Sequence, residues 1–324
     1  MDLLAPAGTS EVSTHSPWAV ETQNLTKRFG DNVAVNDVAL RVPRGSAFGY
    51  LGPNGAGKTT LIRLLLGLTR ANSGTMSLLG HRVPDDRSHA LARVGAIVDE
   101  PRFFSHLTGR ENLRVLAAAR EPLARQRIDA SLARVGLSQR ADDRVAKYSM
   151  GMRQRLGVAA CLLGDPDLLM LDEPMNGLDP AGMQEMRELI RSFVDEGRTV
   201  MLSSHLLDEI ERTCDAVAIV DRGRIVRQGP IAELLGAAAT EVDVDCSEPA
   251  RAQDLLSVSR VVTSIEVTES GLRVRLVEGA SHEEVAELNR LLVLGDVRVY
   301  RLQVVRASLE EWFLQVTSRL GDSA

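Results

Sequence analysis

Cysteine is scarce in this sequence, and its thiols are poorly placed for a disulfide framework. The three cysteines, Cys161, Cys214 and Cys246, are widely spaced and odd in number. No Cys-x-x-Cys pair is present. These features favour a reducing cytoplasm over a secreted scaffold held by disulfides.

Long apolar runs are also absent. No stretch approaches the roughly 18 residues that a membrane-spanning helix needs, so we expect no direct membrane insertion. Residues 1–17 lack a basic segment followed by an apolar one, so they do not resemble a signal peptide, and we predict a disordered tail there. If the protein acts on a membrane, we expect it to act through a partner.

A basic surplus is missing as well. The formal net charge is −6, and residues 240–324 hold 15 Asp and Glu against 9 Arg, which leaves residues 1–239 balanced. Nucleic acid is therefore disfavoured as a partner, because binding a phosphate backbone requires a basic surface. Of 38 basic residues only Lys27, Lys58 and Lys147 are lysines, so each lysine stands out in an arginine-biased chain.

What the sequence does contain is a phosphate-binding loop. Gly52–Thr60 (GPNGAGKTT) matches GxxxxGK[ST] between a predicted strand, Ser46–Leu51, and a predicted helix, Thr60–Leu68. Glycines let backbone N–H groups turn toward phosphates, and the helix presents its positive end to them. Lys58 can reach the β- and γ-phosphates of ATP, and the Thr59 hydroxyl can hold Mg²⁺. The predicted nucleotide contacts in this loop are Gly52, Asn54, Gly55, Gly57, Lys58, Thr59 and Thr60.

A pair of carboxylates ends a second predicted strand. The apolar residues Leu168–Leu171 are followed by Asp172 and Glu173. This order places Asp172 beside the metal and Glu173 near the position of an attacking water. Apolar strands that end in acids are common, so the motif gains its meaning from the phosphate-binding loop.

Alternating strands and helices predict an α/β fold. Strands at Leu168–Leu171, Thr199–Leu202 and Ala216–Val220 are separated by helices at Ala181–Glu196 and Leu206–Thr213. This order favours a largely parallel sheet covered on both faces, as in a P-loop NTPase core. From about residue 88 to 165 the apolar spacing is helical, which predicts an inserted helical subdomain.

The C-terminal part has a different pattern. A predicted linker, GAAAT at residues 236–240, separates the domain at 18–236 from a second one at 240–324. The second domain has the order strand, helix, strand, strand, helix, strand, which suggests a small ferredoxin-like α+β domain with an accessory or regulatory role. The predicted segments are strands 240–246, 261–268, 272–277 and 296–304, helices 249–257 and 281–293, and a last helix at 308–319.

Residues 18–235 resemble the ATP-binding cassette (ABC) ATPases of transporters. Tyr148–Arg155 (YSMGMRQR) is similar to the family signature, usually LSGGQ, which Ser149 and Gly151 match. Met150 and Met152 depart from the commonest form. Asp179 is similar to the family's D-loop aspartate, and His205 to its switch histidine. Phe29 lies where the family stacks an aromatic ring on adenine, and Asp99 lies where the family usually has a glutamine.

The resemblance implies an ATPase that works as a homodimer of head-to-tail subunits. ATP would lie between the phosphate loop of one subunit and the signature of the other, where Ser149 and the N–H groups of a helix start clasp the γ-phosphate. It implies that Gly151, Asp179 and Phe29 also contact nucleotide. It further implies catalytic roles for Glu173, His205 and Asp99, and Mg²⁺ ligation by Thr59, Asp172 and Asp99.

Each of these residues has a simpler interpretation when it is taken alone. Ser149 is a good N-cap in any fold. His205 is equally an ordinary residue at a helix start, Phe29 a core residue, and Asp99 a cap for the following Glu100-Pro101. The joint order and spacing of the motifs favour the ABC interpretation.

Three kinds of ABC protein remain open. YSMGMRQR and Ser308–Gln315 resemble the drug-resistance (daunorubicin-type) exporter group, whose ATPase drives a separate transmembrane permease subunit at the cytoplasmic face of the membrane. In that case Arg102–Thr108 would form part of the groove that accepts the permease. An importer ATPase is the alternative, and a soluble non-transport ABC protein is disfavoured because a second cassette is missing. The cargo is not encoded here, because the permease selects it.

Overall fold

The computed structural model describes residues 16–120, 122–236, 241–268, 271–277 and 280–305. The chain divides into two compact units, Met1–Gln228 and Gly229–Ala324. Residues 1–15 of the predicted tail, residues 237–240 of the predicted linker and the predicted helix at 308–319 lie outside the described residues.

Strands and helices alternate through residues 18–236. In chain order they are β1 (Trp18–Phe29), β2 (Asn32–Val38), β3 (Arg41–Pro43), β4 (Ala47–Leu51), α1 (Lys58–Leu65), β5 (Ser73–Leu78), β6 (His81–Val83), α2 (Arg87–Ala92), β7 (Val94–Ile97), α3 (Gly109–Ala118), α4 (Ile128–Arg134), α5 (Met150–Leu162), β8 (Leu168–Asp172), α6 (Pro180–Asp195), β9 (Thr199–Ser204), α7 (Leu207–Thr213), β10 (Ala216–Asp221), β11 (Arg224–Pro230) and α8 (Ile231–Gly236).

A six-stranded sheet forms the centre of the first unit. Its strand order is β11-β10-β4-β9-β8-β7, and the five strands from β10 to β7 are parallel. Every residue of β4, β8 and β9 is buried, as expected for parallel strands that are covered on both faces. The register pairs Asp172 with Ser203 and Leu51 with Ser204, so the carboxyl ends of β8, β9 and β4 meet at one edge. The predicted parallel sheet is confirmed.

A second, antiparallel sheet has the order β2-β1-β5-β6, with β3 paired to β1. Helix α1 contributes Leu61, Ile62, Leu64 and Leu65 to a core that includes residues of both sheets. Strand β2 runs beside the loop before α1, because the Gly57 backbone lies against the carbonyl of Ala34. The antiparallel sheet therefore places the β1–β2 hairpin next to that loop.

The helical segment is shorter than the predicted range of 88–165. Val94–Ile97 forms strand β7 at one edge of the parallel sheet, paired with β8, so the prediction of helix for these residues is wrong. Helices α3 to α5 follow, and α3 begins with a capping box in which Thr108 and Glu111 satisfy each other's backbone N–H groups. Helix α5 packs against β7 and so joins the helical segment to the sheet.

The second unit has a ferredoxin-like topology, as the sequence suggests. Its elements are β12 (Glu241–Cys246), α9 (Pro249–Ser257), β13 (Val262–Val267), β14 (Gly271–Leu276), α10 (His282–Leu294) and β15 (Val299–Val305). The strands form an antiparallel sheet in the order β13-β14-β12-β15. Val242, Val244 and Cys246 of β12 pack into a core with α9 and α10. The alternate residues Asp243 and Asp245 form ion pairs with arginines on the other face of the sheet.

Candidate active site

The loop between β4 and α1 has a backbone conformation that requires glycine at several positions. Gly55 and Gly57 have φ angles of 83° and 96°, in the left-handed region. A Cβ atom on Gly57 would lie 2.0 Å from the carbonyl oxygen of Ala34, and one on Gly52 would lie 2.3 Å from that of Val220. Asn54 and Gly55 are exposed at the tip of the loop, and Thr59 and Thr60 are half-buried in the first turn of α1. The loop has the form of a phosphate cradle.

Lys58, the first residue of α1, points back into this loop. Its Nζ donates to the carbonyl oxygens of Gly52 at 2.7 Å and Pro53 at 3.2 Å, and only 6% of the side chain is exposed. The same ammonium lies 3.1 Å from Glu173 Oε1. The interior of the loop is thus lined by a buried positive charge, which suits an anionic ligand.

Asp172 is a buried carboxylate at the end of β8. Its side chain is 4% exposed, and the Ser203 hydroxyl donates to Oδ1 at 2.5 Å. The Ser203 oxygen also accepts from the backbone N–H of Glu173 at 2.9 Å. No motif of the sequence singles out Ser203. Its signal is its position at the end of β9, because the register of parallel strands sets it opposite Asp172.

The surroundings of Asp172 fit a divalent cation. In residues 16–305, so far as they are described, no Lys, Arg or His forms an ion pair with Asp172, which leaves a buried negative charge without a counter-charge. Thr59 and Asp172 line the same cavity and supply the oxygen donors that Mg²⁺ prefers. No cluster of three or more metal-binding side chains occurs among the described residues, but Mg²⁺ commonly takes few protein ligands beside phosphates and waters.

Glu173 is held between two basic groups. Its Oε1 contacts Lys58, and its Oε2 lies 2.9 Å from Nδ1 of His205. Its φ angle of 47° is left-handed, a conformation that a non-glycine residue adopts at some energetic cost. This backbone turns the carboxylate out of the strand and into the space beside the phosphate loop.

Asp99 lies at the rim of the same cavity. The cavity has a volume of about 230 Å³ and is lined by Thr59, Asp99, Glu100, Gln154, Asp172, Glu173 and Asn176. The Asp99 carboxylate pairs with Arg63 of α1, with Oδ2 at 2.5 Å from the guanidinium. Asp99 thus lines the same cavity as the acid pair, Asp172 and Glu173, but its own carboxylate forms an ion pair with Arg63.

The predicted signature and D-loop residues lie at two adjacent helix starts. Ser149 caps α5 by accepting from the N–H of Met152 at 3.2 Å, and Asp179 caps α6 by accepting from that of Gly182 at 2.9 Å. A Cβ atom on Gly151 would lie 3.6 Å from the Leu178 side chain, so the two segments are neighbours. Neither helix start lines the cavity of the acid pair.

Phe29 ends β1 at the hairpin beside the phosphate loop. Its side chain is 52% exposed, so the alternative that it packs in the core is wrong. The Lys27 ammonium lies 4.8 Å from the ring centroid and donates to the carbonyl oxygen of Arg70. An exposed ring next to the phosphate loop is available to stack on a base.

A phosphate loop after one buried strand, β4, and an acid pair after a second parallel strand of the same sheet, β8, define a P-loop nucleotide hydrolase. The ABC transporter family matches residues 35–176. The chain is 37% identical over 298 residues to the bacitracin transport ATP-binding protein BcrA of Bacillus licheniformis, covering 92% of this chain and 96% of that protein. It is 37% identical over 254 residues to the Nod factor export ATP-binding protein I of Burkholderia lata, covering 76% and 83%.

Solved structures agree with these similarities. The structure of an ATP-binding subunit of an ABC transporter matches with a TM-score of 0.59 and 30% identity, covering 67% of this chain and 91% of that one. This chain therefore belongs to the ABC transporter ATP-binding proteins, and it binds and hydrolyses ATP. In the part of the chain that the structure describes, no helix is long and apolar enough to cross a membrane.

Proposed function

We propose that this chain is the ATP-hydrolysing subunit of an exporter whose transmembrane permease is a separate chain, with an antibiotic or related compound as cargo. The similarity to the bacitracin transport and Nod factor export proteins carries this proposal, because it extends beyond the ATPase core into the C-terminal unit. The chain would act at the cytoplasmic face of the membrane. An importer ATPase is the alternative.

In the proposed mechanism, ATP phosphates take over the contacts of the Lys58 ammonium. The backbone N–H groups of the loop receive the phosphates, and Phe29 stacks on the adenine. Thr59 and Asp172 would hold Mg²⁺, which would neutralise charge on the phosphates. Ser203 keeps the Asp172 carboxylate in place through its hydrogen bond to Oδ1.

Glu173 has the position of the residue that orients the attacking water. When Lys58 moves to phosphate, the Glu173 carboxylate retains His205 as its partner and gains a free oxygen for water. His205 thus acts as the group that fixes the direction of the carboxylate. Asp99 is proposed to meet the metal only through a water, because its side chain is short and is paired with Arg63.

We also propose that two copies close head to tail around two ATP molecules. The N-terminal end of α5 is exposed at Ser149, so its N–H groups and hydroxyl can meet the γ-phosphate held by a partner copy. Gly151 allows close approach there, and Asp179 lies beside it at the start of α6. Hydrolysis then releases the dimer and moves the permease.

The permease is proposed to dock at the segment that follows Asp99. A cavity of about 380 Å³ is lined there by apolar and charged residues of that segment, α3 and α5, among them Asp99, Arg102, Phe103, Leu116, Arg120 and Cys161. Phe104, in the same segment, is 54% exposed and offers an anchor. The segment connects directly to the acid-pair cavity through Asp99, which lines both.

Transport direction tests the proposed function. The chain is co-expressed with a candidate six-helix permease, and inside-out membrane vesicles are supplied with MgATP and a labelled antibiotic such as bacitracin. An exporter accumulates the label in the vesicle lumen, and the same vesicles with Glu173→Gln do not. ATP-dependent loss of label from preloaded vesicles would instead establish an importer.

A further inference from the structure

Gln154 is a buried polar residue of α5 that the proposed mechanism does not use. Its side chain is 5% exposed, and Oε1 has no hydrogen-bond partner among the described residues. The other buried positions of α5 are Leu156, Gly157, Val158, Ala159 and Cys161, so a buried amide is exceptional in this helix. Buried polar atoms in folded proteins normally have a partner, and a missing one points to a ligand or water.

The residues around Gln154 indicate what that ligand is. Gln154 lines the cavity that also contains Thr59, Asp172 and Glu173. Its volume of about 230 Å³ has room for several waters. The cavity is rich in carboxylates, and the Asp99 carboxylate is engaged by Arg63. An amide oxygen accepts a hydrogen bond from water without adding another negative charge beside Asp172.

We propose that Gln154 is a positioning residue of the ATPase reaction, whose amide oxygen accepts a hydrogen bond from a water of the magnesium site. The proposal rests on the proposed Mg²⁺ site at Thr59 and Asp172. It extends that site to α5, the helix that Ser149 caps. Gln154 lies five positions after Ser149, about 7.5 Å along the helix axis, so one rigid element carries both the helix start and this water contact.

The test compares Gln154→Leu, which removes the polar atoms at similar size, with Gln154→Glu, which retains an oxygen acceptor. Gln184→Leu, at an exposed position of α6, is the matched control. The melting temperature of each full-length variant is measured without ligand, with ATP and EDTA, and with ATP and Mg²⁺. ATPase rate is measured against Mg²⁺ concentration.

We expect Gln154→Leu to melt at or above the wild-type temperature without ligand, because it removes an unpartnered buried amide. Its stabilisation by ATP with EDTA should match wild type, whereas the additional stabilisation by Mg²⁺ should shrink. Half-saturation by Mg²⁺ in the ATPase assay should rise about tenfold, the loss of roughly one hydrogen bond. Gln154→Glu should retain most of the Mg²⁺ response.

Two results would overturn the role of Gln154. Mg²⁺ curves of Gln154→Leu that overlay wild type would do so, whether or not the variant is less stable. Equal responses of the Leu and Glu variants would show that the acceptor atom is irrelevant. The proposed metal site is tested separately by measuring the ATPase rate of the wild-type protein with and without Mg²⁺. A rate that does not depend on Mg²⁺ would contradict the metal site itself.

Discussion

The Lys58 ammonium lies 3.1 Å from Oε1 of Glu173. The group that should meet the phosphates is therefore paired with the group that should orient water. This pair balances two charges in a largely buried site. In the proposed mechanism ATP displaces the carboxylate from Lys58, so binding of the phosphates and release of Glu173 for its proposed catalytic role are one event.

Glu173→Gln should keep or strengthen ATP binding, because Lys58 loses an anionic competitor for phosphate. Turnover should fall by about 10²- to 10⁴-fold, since an amide cannot accept a proton from water. ATPase rate, nucleotide titration and ATP-dependent dimerisation by size exclusion measure these effects. Glu188→Gln on α6 is the control. Retention of most activity by Glu173→Gln would remove Glu173 from the mechanism.

Lys58→Arg should fail although it keeps the charge. The Lys58 Nζ fits between the carbonyls of Gly52 and Pro53, and a planar guanidinium is too broad for that space. Loss of a charge-assisted hydrogen bond corresponds to an affinity decrease of about tenfold or more. Fluorescence titration with a nucleotide analogue measures it, and exposed Lys147→Arg is the control. Unchanged affinity would contradict this account of the loop.

Local motifs were predictable from the sequence because their residues are close together along the chain. The phosphate loop and the acid pair are contiguous, and the strict alternation of β12 identifies a half-buried strand. Strand β7 was not predictable in this way. It is only four residues long, contains Gly95 and lies between helical segments, so its pairing with β8 decides its structure.

Contacts between distant segments were also beyond sequence reasoning. Ser203 reaches Asp172 only through the register of β8 and β9. The Asp99–Arg63 pair depends on a left-handed turn at Asp99, with a φ angle of 58°. Such contacts follow from the fold and not from a spacing along the chain.

Ser203→Ala should damage both stability and catalysis. The hydroxyl donates to Asp172 and accepts from the N–H of Glu173, so its loss leaves buried polar groups unsatisfied at a cost of about 1–3 kcal/mol. We expect a lower melting temperature and a weaker response of the ATPase to Mg²⁺. Ser204→Ala, which removes a buried hydroxyl one residue away, is the control for folding effects. Equal Mg²⁺ responses in the two variants would exclude a role for Ser203 at the metal.

Deletion of residues 238–324 should leave a folded ATPase. The core of the first unit and the core formed by β12 to β15 with α9 and α10 are made of separate sets of residues. Nucleotide affinity should be retained, and dimerisation or regulation should weaken. Circular dichroism, nucleotide titration and size exclusion of the truncated chain check this. An insoluble or ATP-incompetent product would show that the C-terminal unit supports the catalytic core.

Asp99→Gln should lower the Mg²⁺ requirement and raise basal hydrolysis. A glutamine is one methylene longer, so it can reach the metal site, and it has no charge to direct at Arg63. One hydrogen bond gained at the metal site is worth about 1 kcal/mol, so we expect a change of about fivefold. Asp99 is 60% exposed, so loss of its ion pair with Arg63 should by itself contribute little. ATPase rate is measured against Mg²⁺ concentration, with and without the permease. Arg63→Met breaks the same ion pair while residue 99 is unchanged, and it should not reproduce the effect. If the Asp99→Gln curve overlays wild type in both conditions, Asp99 has no metal role and serves only to cap the segment that follows it.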